Sequence, residues 1–165
     1  MSAMKFPVTP AIRVLRTAGV ELEPHLYDYV PDGGAAESAT QLGLDLHAVV
    51  KTLVLETSDG DGLIVLMHGD REVSTKALAR HLGVKSVQMI DVARGRKLTG
   101  YEFGGTSPFG TRTELPVYVE RTILDHERIT INGGKRGFLV TLRTDDLVRV
   151  LGAEPVDIAI ATSSA

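Results

Sequence analysis

The chain has 165 residues, 43% of them hydrophobic and 24% charged, with a formal net charge of −3. That is enough for one domain with a real core, and too little for two comfortable ones. The absence of cysteine removes disulfides, thiolate catalysis and cysteine-ligated metals together, and the acidic balance excludes a broad basic footprint for long duplex nucleic acid, so any RNA contact must be local.

Met1 to Pro7 lacks the apolar stretch of a secretory leader, and no later apolar run approaches membrane-spanning length, which points to a cytoplasmic protein with no membrane partner. Thr9, Pro10 and Gly19 bracket a short helix, because threonine caps, proline suits the first helical position and glycine stops. Leu22 to Val30 has β-type residues and sets His25, Tyr27 and Tyr29 on one face if extended. Pro31-Asp32-Gly33-Gly34 breaks that strand, and Ala35 to Leu42 reads as a helix ended by Gly43.

Val49-Val50-Lys51-Thr52-Leu53-Val54-Leu55 is a β-type apolar run interrupted by a lysine and a threonine, and it reads as a central strand. Lys51 shares a face with Leu53 and Leu55, so its ammonium either emerges at the strand's start or points into a cavity. The turn Asp59-Gly60-Asp61-Gly62 leads into Leu63 to Met67 as an antiparallel hairpin, which argues against a purely parallel sheet. Ser74 caps a helix that Gly83 stops, Val87 to Ile90 is a short strand, and Asp91 caps a poorer helix, interrupted by Gly95, that ends near Thr99-Gly100.

Gly104-Gly105-Thr106-Ser107-Pro108-Phe109-Gly110 is too rich in glycine and proline for a regular element and reads as a loop with a prescribed path. Val117 to Val119 and Ile129 to Ile131 are strands, and Gly133-Gly134-Lys135-Arg136-Gly137 is the turn into the strand Phe138 to Leu142. Thr144 caps a last helix, with Asp145 and Asp146 in its first turn and Gly152 at its end. Val156 to Ile160 is a terminal strand, and Ala161 to Ala165 a frayed tail.

The residues restrict the chemistry. His25, His47, His68, His81 and His126 include no pair at helical i, i+4 spacing, so they read as surface or structural, with no metal site. Ser107 does not stand in a Gly-x-Ser-x-Gly elbow, and Gly133 to Gly137 lacks the Gly-Lys-Ser/Thr ending of a phosphate-binding loop. Positive charges bunch at Lys76, Arg80, His81 and Lys85 and at Arg94, Arg96 and Lys97, which read as solvated faces, and again at Lys135 and Arg136. Two glycine-rich loops then remain, with main-chain N–H groups to offer and Lys51, Lys135 and Arg136 as fixed charges; this suits phosphate and carbonyl oxygens, although both loops also read as simple tight turns.

Four of these stretches, Val50-Lys51-Thr52-Leu53-Val54, Thr99-Gly100-Tyr101, Gly104 to Gly110 and Gly133 to Gly137, resemble in order the signature of the YbaK/EbsC family of free-standing aminoacyl-tRNA editing domains. The resemblance runs from about Thr9 to Ile158. It implies a single domain over residues 1–165 with its core at about 9–160, a mixed α/β fold with a curved, mainly antiparallel sheet flanked by helices. The activity it implies is deacylation of mischarged tRNA, chiefly Cys-tRNA(Pro), with no cofactor, the tRNA 3′ acceptor end as ligand and prolyl-tRNA synthetase as partner. An Ala-tRNA(Pro) or broader small-amino-acid editor, and a non-catalytic tRNA- or synthetase-binding module, are the alternatives.

The resemblance puts the family's lysine at Lys51, its neighbouring threonine at Thr52, its pocket tyrosine at Tyr27 and its substrate-facing loop glycine at Gly104. Lys51 and Gly104 are the expected catalytic positions; Tyr27, Thr52, Gly105, Ser107, Asn132, Gly133, Gly134, Lys135 and Arg136 are the expected substrate-binding ones, with Ser107 shaping its loop rather than reacting. Asn132 stands where serine is common in the family, and Gly33-Gly34 where an aromatic residue and a glycine are common, which should loosen the pocket.

Overall fold

The computed structural model describes residues 5–162. In chain order the elements are α1 (Pro10–Thr17), β1 (Leu22–Leu26), α2 (Gly34–Leu42), β2 (Val49–Thr57), β3 (Gly62–His68), β4 (Arg71–Val73), α3 (Thr75–Leu82), β5 (Val87–Met89), α4 (Val92–Thr99), β6 (Val117–Glu120), β7 (Arg128–Lys135), β8 (Phe138–Arg143), α5 (Thr144–Leu151), β9 (Glu154–Val156) and β10 (Ala159–Ala161). The result is a mixed α/β fold. Its main sheet runs β1-β8-β7-β2-β3-β6-β9, with β5 added to β2, and a small β10-β4 sheet stands apart. Antiparallel pairs predominate, with β2–β7, β3–β6 and β6–β9 parallel.

Alternation along the central strands separates two cores. Val50 and Val54 of β2, with Ile64 and Leu66 of β3, face α1 and α5 through Ile12, Leu15 and Leu147; Leu55, Leu63, Val65 and Met67 face α3 through Leu78 and Ala79. Apolar burial on both faces is why β3 reads as an unbroken hydrophobic run, at roughly 1.5–3 kcal/mol for each large side chain buried. The helices start and stop where local chemistry directs. Thr9, Ser74 and Asp91 each accept a capping N–H, and Gly43, Gly83, Gly100 and Gly152 close their helices in the left-handed region. No helix among the described residues is long and apolar enough to cross a membrane.

Several expectations need correction. The strand expected from Leu22 to Val30 ends at Leu26, so Tyr27 and Tyr29 lie on the segment that follows it, where the Tyr27 N–H donates to the Gly137 carbonyl. Gly95 does not interrupt α4; it is buried there, and a Cβ on it would lie 3.0 Å from the Ile90 side chain. The turn expected over Gly133 to Gly137 is shorter, since β7 continues to Lys135 through an irregularity in register between Asn132 and Lys135. Thr144 is the first residue of α5 and not its cap; Arg143 holds that place without a side-chain bond, and the Thr144 hydroxyl is buried and unpartnered.

The expected terminal strand Val156 to Ile160 is two strands. β9 pairs with β6 and β10 with β4, and the break between them falls where the Glu120 carboxylate accepts the N–H groups of Ile158 and Ala159. Ala161 closes β10 and is no part of a tail, while residues 163–165 lie outside the described range.

One edge of β2 positions everything that follows. β7 pairs with it at Val49 and Val50, and β5 pairs with it at Leu55 to Thr57. Lys51 to Val54 lie between, where the sheet splits. The Ile90 N–H reaches the Val54 carbonyl from this side at 3.1 Å. Two residues earlier, the alternation of the strand turns the N–H and C=O of Thr52 into the same opening.

Candidate functional site

A cavity of about 440 Å³ occupies that split, and Tyr27, Lys51, Thr52, Gly104 and Asn132 all line it. The other expected residues surround it at one remove. Gly105, Ser107, Gly133, Gly134, Lys135 and Arg136 belong to the two segments that carry Gly104 and Asn132 and are not part of the lining.

Lys51 is half-buried, and its Nζ donates to the Arg71 carbonyl of β4 at 2.6 Å. Burial pushes its pKa below the ordinary lysine value, and the nearby carboxylates of Glu72 and Asp70 oppose that shift without cancelling it. Thr52 brings a buried hydroxyl with no hydrogen-bond partner. With the main-chain groups of the same residue, which pair with neither β7 nor β5, it puts donors and acceptors without a partner among the described residues at the opening. Burial raises the pKa of Tyr27 and outweighs the opposing influence of the Gly137 main chain on the phenol oxygen, so it stays a phenol.

The two loops hold each other by specific contacts. Asn132 Nδ2 donates to the Gly104 carbonyl, and Asn132 Oδ1 accepts from the N–H groups of Gly134 and Lys135. Gly104 has φ +85°, and a Cβ there would lie 2.7 Å from the Tyr29 hydroxyl oxygen. The Gly105 N–H donates to the Glu102 carbonyl, so that donor is spent within its own loop. Arg136 Nε donates to the Phe103 carbonyl at 2.8 Å, and its guanidinium lies over the Tyr29 ring. The Ser107 hydroxyl is fully buried and accepts from the Phe109 N–H, which fits loop shaping. Beside it, Tyr101 donates to the Phe109 carbonyl at 2.6 Å, and burial pushes its pKa up to about 12.

No histidine lines the cavity among the described residues, so none of its hydroxyls has an imidazole base within the site. Orientation and electrostatic stabilisation are what this site can supply. Three histidines do meet elsewhere. His47, His68 and His126 bring ring nitrogens within 4.8 Å of one another, a cluster that their spacing in the chain conceals. The His47 and His68 rings stack at 3.8 Å and 7°, so their in-plane lone pairs do not converge on a common point. His68 Nδ1 donates to the His47 carbonyl and its Nε2 meets the Thr122 hydroxyl, while His47 Nδ1 meets Asp70.

Tyr29, Ile90, Met89, Val92 and Phe103 also line the cavity. Tyr29 shares the spacing of Tyr27, and Phe103 adjoins Gly104, but nothing in the sequence points to the other three.

Fold and cavity together define a mixed α/β protein with a cleft opened in a split sheet. Residues 33–150 match the family described as an aminoacyl-tRNA editing domain, and the chain belongs to that family. It is 27% identical over 151 residues to a protein of Enterococcus faecalis provisionally designated Cys-tRNA(Pro)/Cys-tRNA(Cys) deacylase EbsC, covering 91% of this chain and 92% of that one. It is 35% identical over 88 residues to the proline–tRNA ligase of Moorella thermoacetica, where the match covers 53% of this chain and 15% of the ligase. In fold it is similar to a crystal structure provisionally assigned to a trans-editing enzyme for prolyl-tRNA synthetase, with TM-score 0.79 and 24% identity over 94% of this chain and all of that one. A second crystal structure, hypothetical protein APE2540, matches with TM-score 0.84 and 22% identity over 92% of this chain and all of that one.

Proposed function

We propose that the chain is a deacylase that clears wrongly attached amino acids from tRNA(Pro), with Cys-tRNA(Pro) as its main substrate and prolyl-tRNA synthetase as its partner. The observation that carries this reading is the convergence of Lys51, Thr52, Tyr27, Gly104 and Asn132 on one cavity that has no imidazole base among the described residues. An aminoacyl ester on tRNA is already activated, so a site of this kind needs to place it and stabilise the developing oxyanion.

In this reading the cysteinyl thiol attacks its own ester carbonyl. The new C–S bond closes a thiolactone, the C–O bond to the ribose breaks, and the thiol proton ends on the departing ribose hydroxyl. Lys51 holds ribose or phosphate oxygens of the 3′ end. Because the Gly105 N–H is already used, the Thr52 N–H and hydroxyl are donors available to the ester carbonyl, with the main chain at Gly104 closing the other side. The similarity of half the chain to a segment of a proline–tRNA ligase supports the choice of tRNA and partner.

The cavity, at about 440 Å³, is roomier than a cysteinyl group alone requires, which favours a second reading as an editor of several small amino acids, alanine included, by attack of water. A panel of Cys, Ala and Ser esters on tRNA(Pro) separates the two. Fastest loss of Cys with thiolactone released supports the first, and free acid from several esters supports the second. Binding of tRNA or synthetase with no deacylation of any ester would leave a non-catalytic module.

A further inference from the structure

Seven large hydrophobic side chains are exposed among the described residues, and four of them, Val30, Met89, Val92 and Phe103, border this cavity. A random scatter would not gather them at one opening. Phe103 is the only aromatic ring of the four and is 58% exposed. It immediately precedes Gly104, about 3.8 Å along the chain from it, and lines the same cavity. Its own carbonyl accepts from Arg136 Nε, and the Arg136 guanidinium is steadied by the Tyr29 ring, 5.1 Å from the ring centroid. These contacts fix the guanidinium while leaving its two terminal nitrogens unused among the described residues. No carboxylate there pairs with Arg136 or with the exposed Lys135.

We propose that Phe103 is the stacking platform for the terminal adenine of the tRNA 3′ end, and that Arg136, helped by Lys135, takes a phosphate of the same nucleotides. The proposal rests on the editing reading above and adds the place of the nucleobase. An exposed ring on the residue whose carbonyl anchors an immobilised guanidinium matches an unstacked nucleotide, which offers a π-face and an anion within one residue's reach. The aminoacyl ester attached to that nucleotide then enters the cavity past Gly104. An apolar peptide would use the rim but would leave the paired cations without an anion.

The test uses the full chain and a CCA-ended minihelix with 2-aminopurine in place of its terminal adenine, whose fluorescence is quenched by stacking. Wild type should quench it, Phe103→Ala should lose the quenching with roughly tenfold weaker binding, and Phe103→Tyr should restore both. With mischarged tRNA as substrate, the same series should show KM rising in Phe103→Ala and returning in Phe103→Tyr. Equal quenching and equal KM in wild type and Phe103→Ala would overturn the platform, even if deacylation is intact. Quenching that depends on Phe103 in a protein that deacylates no ester would keep the platform and remove the editing activity.

Discussion

Asn132 Nδ2 lies 3.2 Å from the Gly104 carbonyl oxygen, and this hydrogen bond joins two loops 28 residues apart in the chain. The other end of the same amide gathers the N–H groups of Gly134 and Lys135 at 2.7 and 3.2 Å. A serine at this position has one hydroxyl and could not span all three contacts at once. Replacing Asn132 by alanine should therefore lower stability by about 1–2 kcal/mol, because two N–H groups of the irregular strand lose their acceptor. Asn132→Asp keeps that acceptor and exchanges the bond to Gly104 for a carboxylate oxygen facing the Gly104 carbonyl, a repulsion that solvent screens at this incompletely buried position. Urea unfolding should rank alanine as the less stable variant, while deacylation should fall in both. Wild-type rates in both would detach the loop link from the activity.

The paired loops also leave no room for side chains, in two different ways. A Cβ on Gly104 meets the far end of the Tyr29 side chain at 2.7 Å, whereas a Cβ on Gly105 meets the main-chain nitrogen of Arg136 at 2.6 Å. Tyrosine can swing aside; a backbone cannot. Gly104→Ala should cost about 1–2 kcal/mol, mainly from holding alanine at φ +85°. Gly105→Ala should cost more, roughly 3 kcal/mol, because the loops must move apart. Thermal unfolding of the two variants checks the order, and a Gly105→Ala protein as stable as Gly104→Ala would contradict it.

What the sequence discloses divides along the range of the forces involved. Caps and stops act within one turn of a helix, and Thr9, Ser74, Asp91, Gly43, Gly83, Gly100 and Gly152 all act where their types suggest. Thr144 departs from that rule because its N–H is drawn to the Glu127 carbonyl, a contact set by the tertiary fold. β4 and β10 are three residues each and stabilised by one another, so neither shows a pattern of its own. The motif residues Lys51, Gly104 and Asn132 are visible in the chain, but the cavity between them exists because β7 and β5 leave a gap along β2, and no local stretch encodes a gap.

Lys51 should set the alkaline limit of the reaction. Burial lowers its pKa from the ordinary 10.5, so the charged form is lost at a lower pH than for a solvated lysine. Tyr27 shifts the other way and cannot supply that limb. The pH profile of single-turnover deacylation should fall on the alkaline side below 10.5, and Lys51→Arg, if it retains activity, should move that fall beyond reach, since guanidinium does not titrate there. Lys51→Met should lose at least about 100-fold in kcat/KM while staying folded, because the methionine keeps the stem in place. An unchanged alkaline limb in Lys51→Arg would assign the titration to another group.

Glu120 is the buried acid on which the support of Lys51 depends. It is 2% exposed and accepts four hydrogen bonds, from the Thr122 N–H and hydroxyl and from the N–H groups of Ile158 and Ala159. Those last two place the start of β10, β10 pairs with β4, and the Arg71 carbonyl of β4 holds Lys51 Nζ. Burial alone would raise the carboxyl pKa, but the four donors outweigh it and hold the pKa below the ordinary 4.5. A carboxyl whose folded pKa is depressed contributes stability that is present in full above its unfolded value and is lost as pH falls through the folded value. Wild-type stability should therefore drop in acid, over roughly pH 5 to 3 and below. Glu120→Gln replaces one acceptor oxygen with an amide that meets N–H groups head on, so at neutral pH it should be less stable by roughly 3 kcal/mol. Its loss on going into acid should be smaller, and the two curves of unfolding free energy against pH should converge. Parallel curves would mean that Glu120 is not the group that titrates. A Glu120→Gln protein with full deacylase activity would show that Lys51 needs no support from β4.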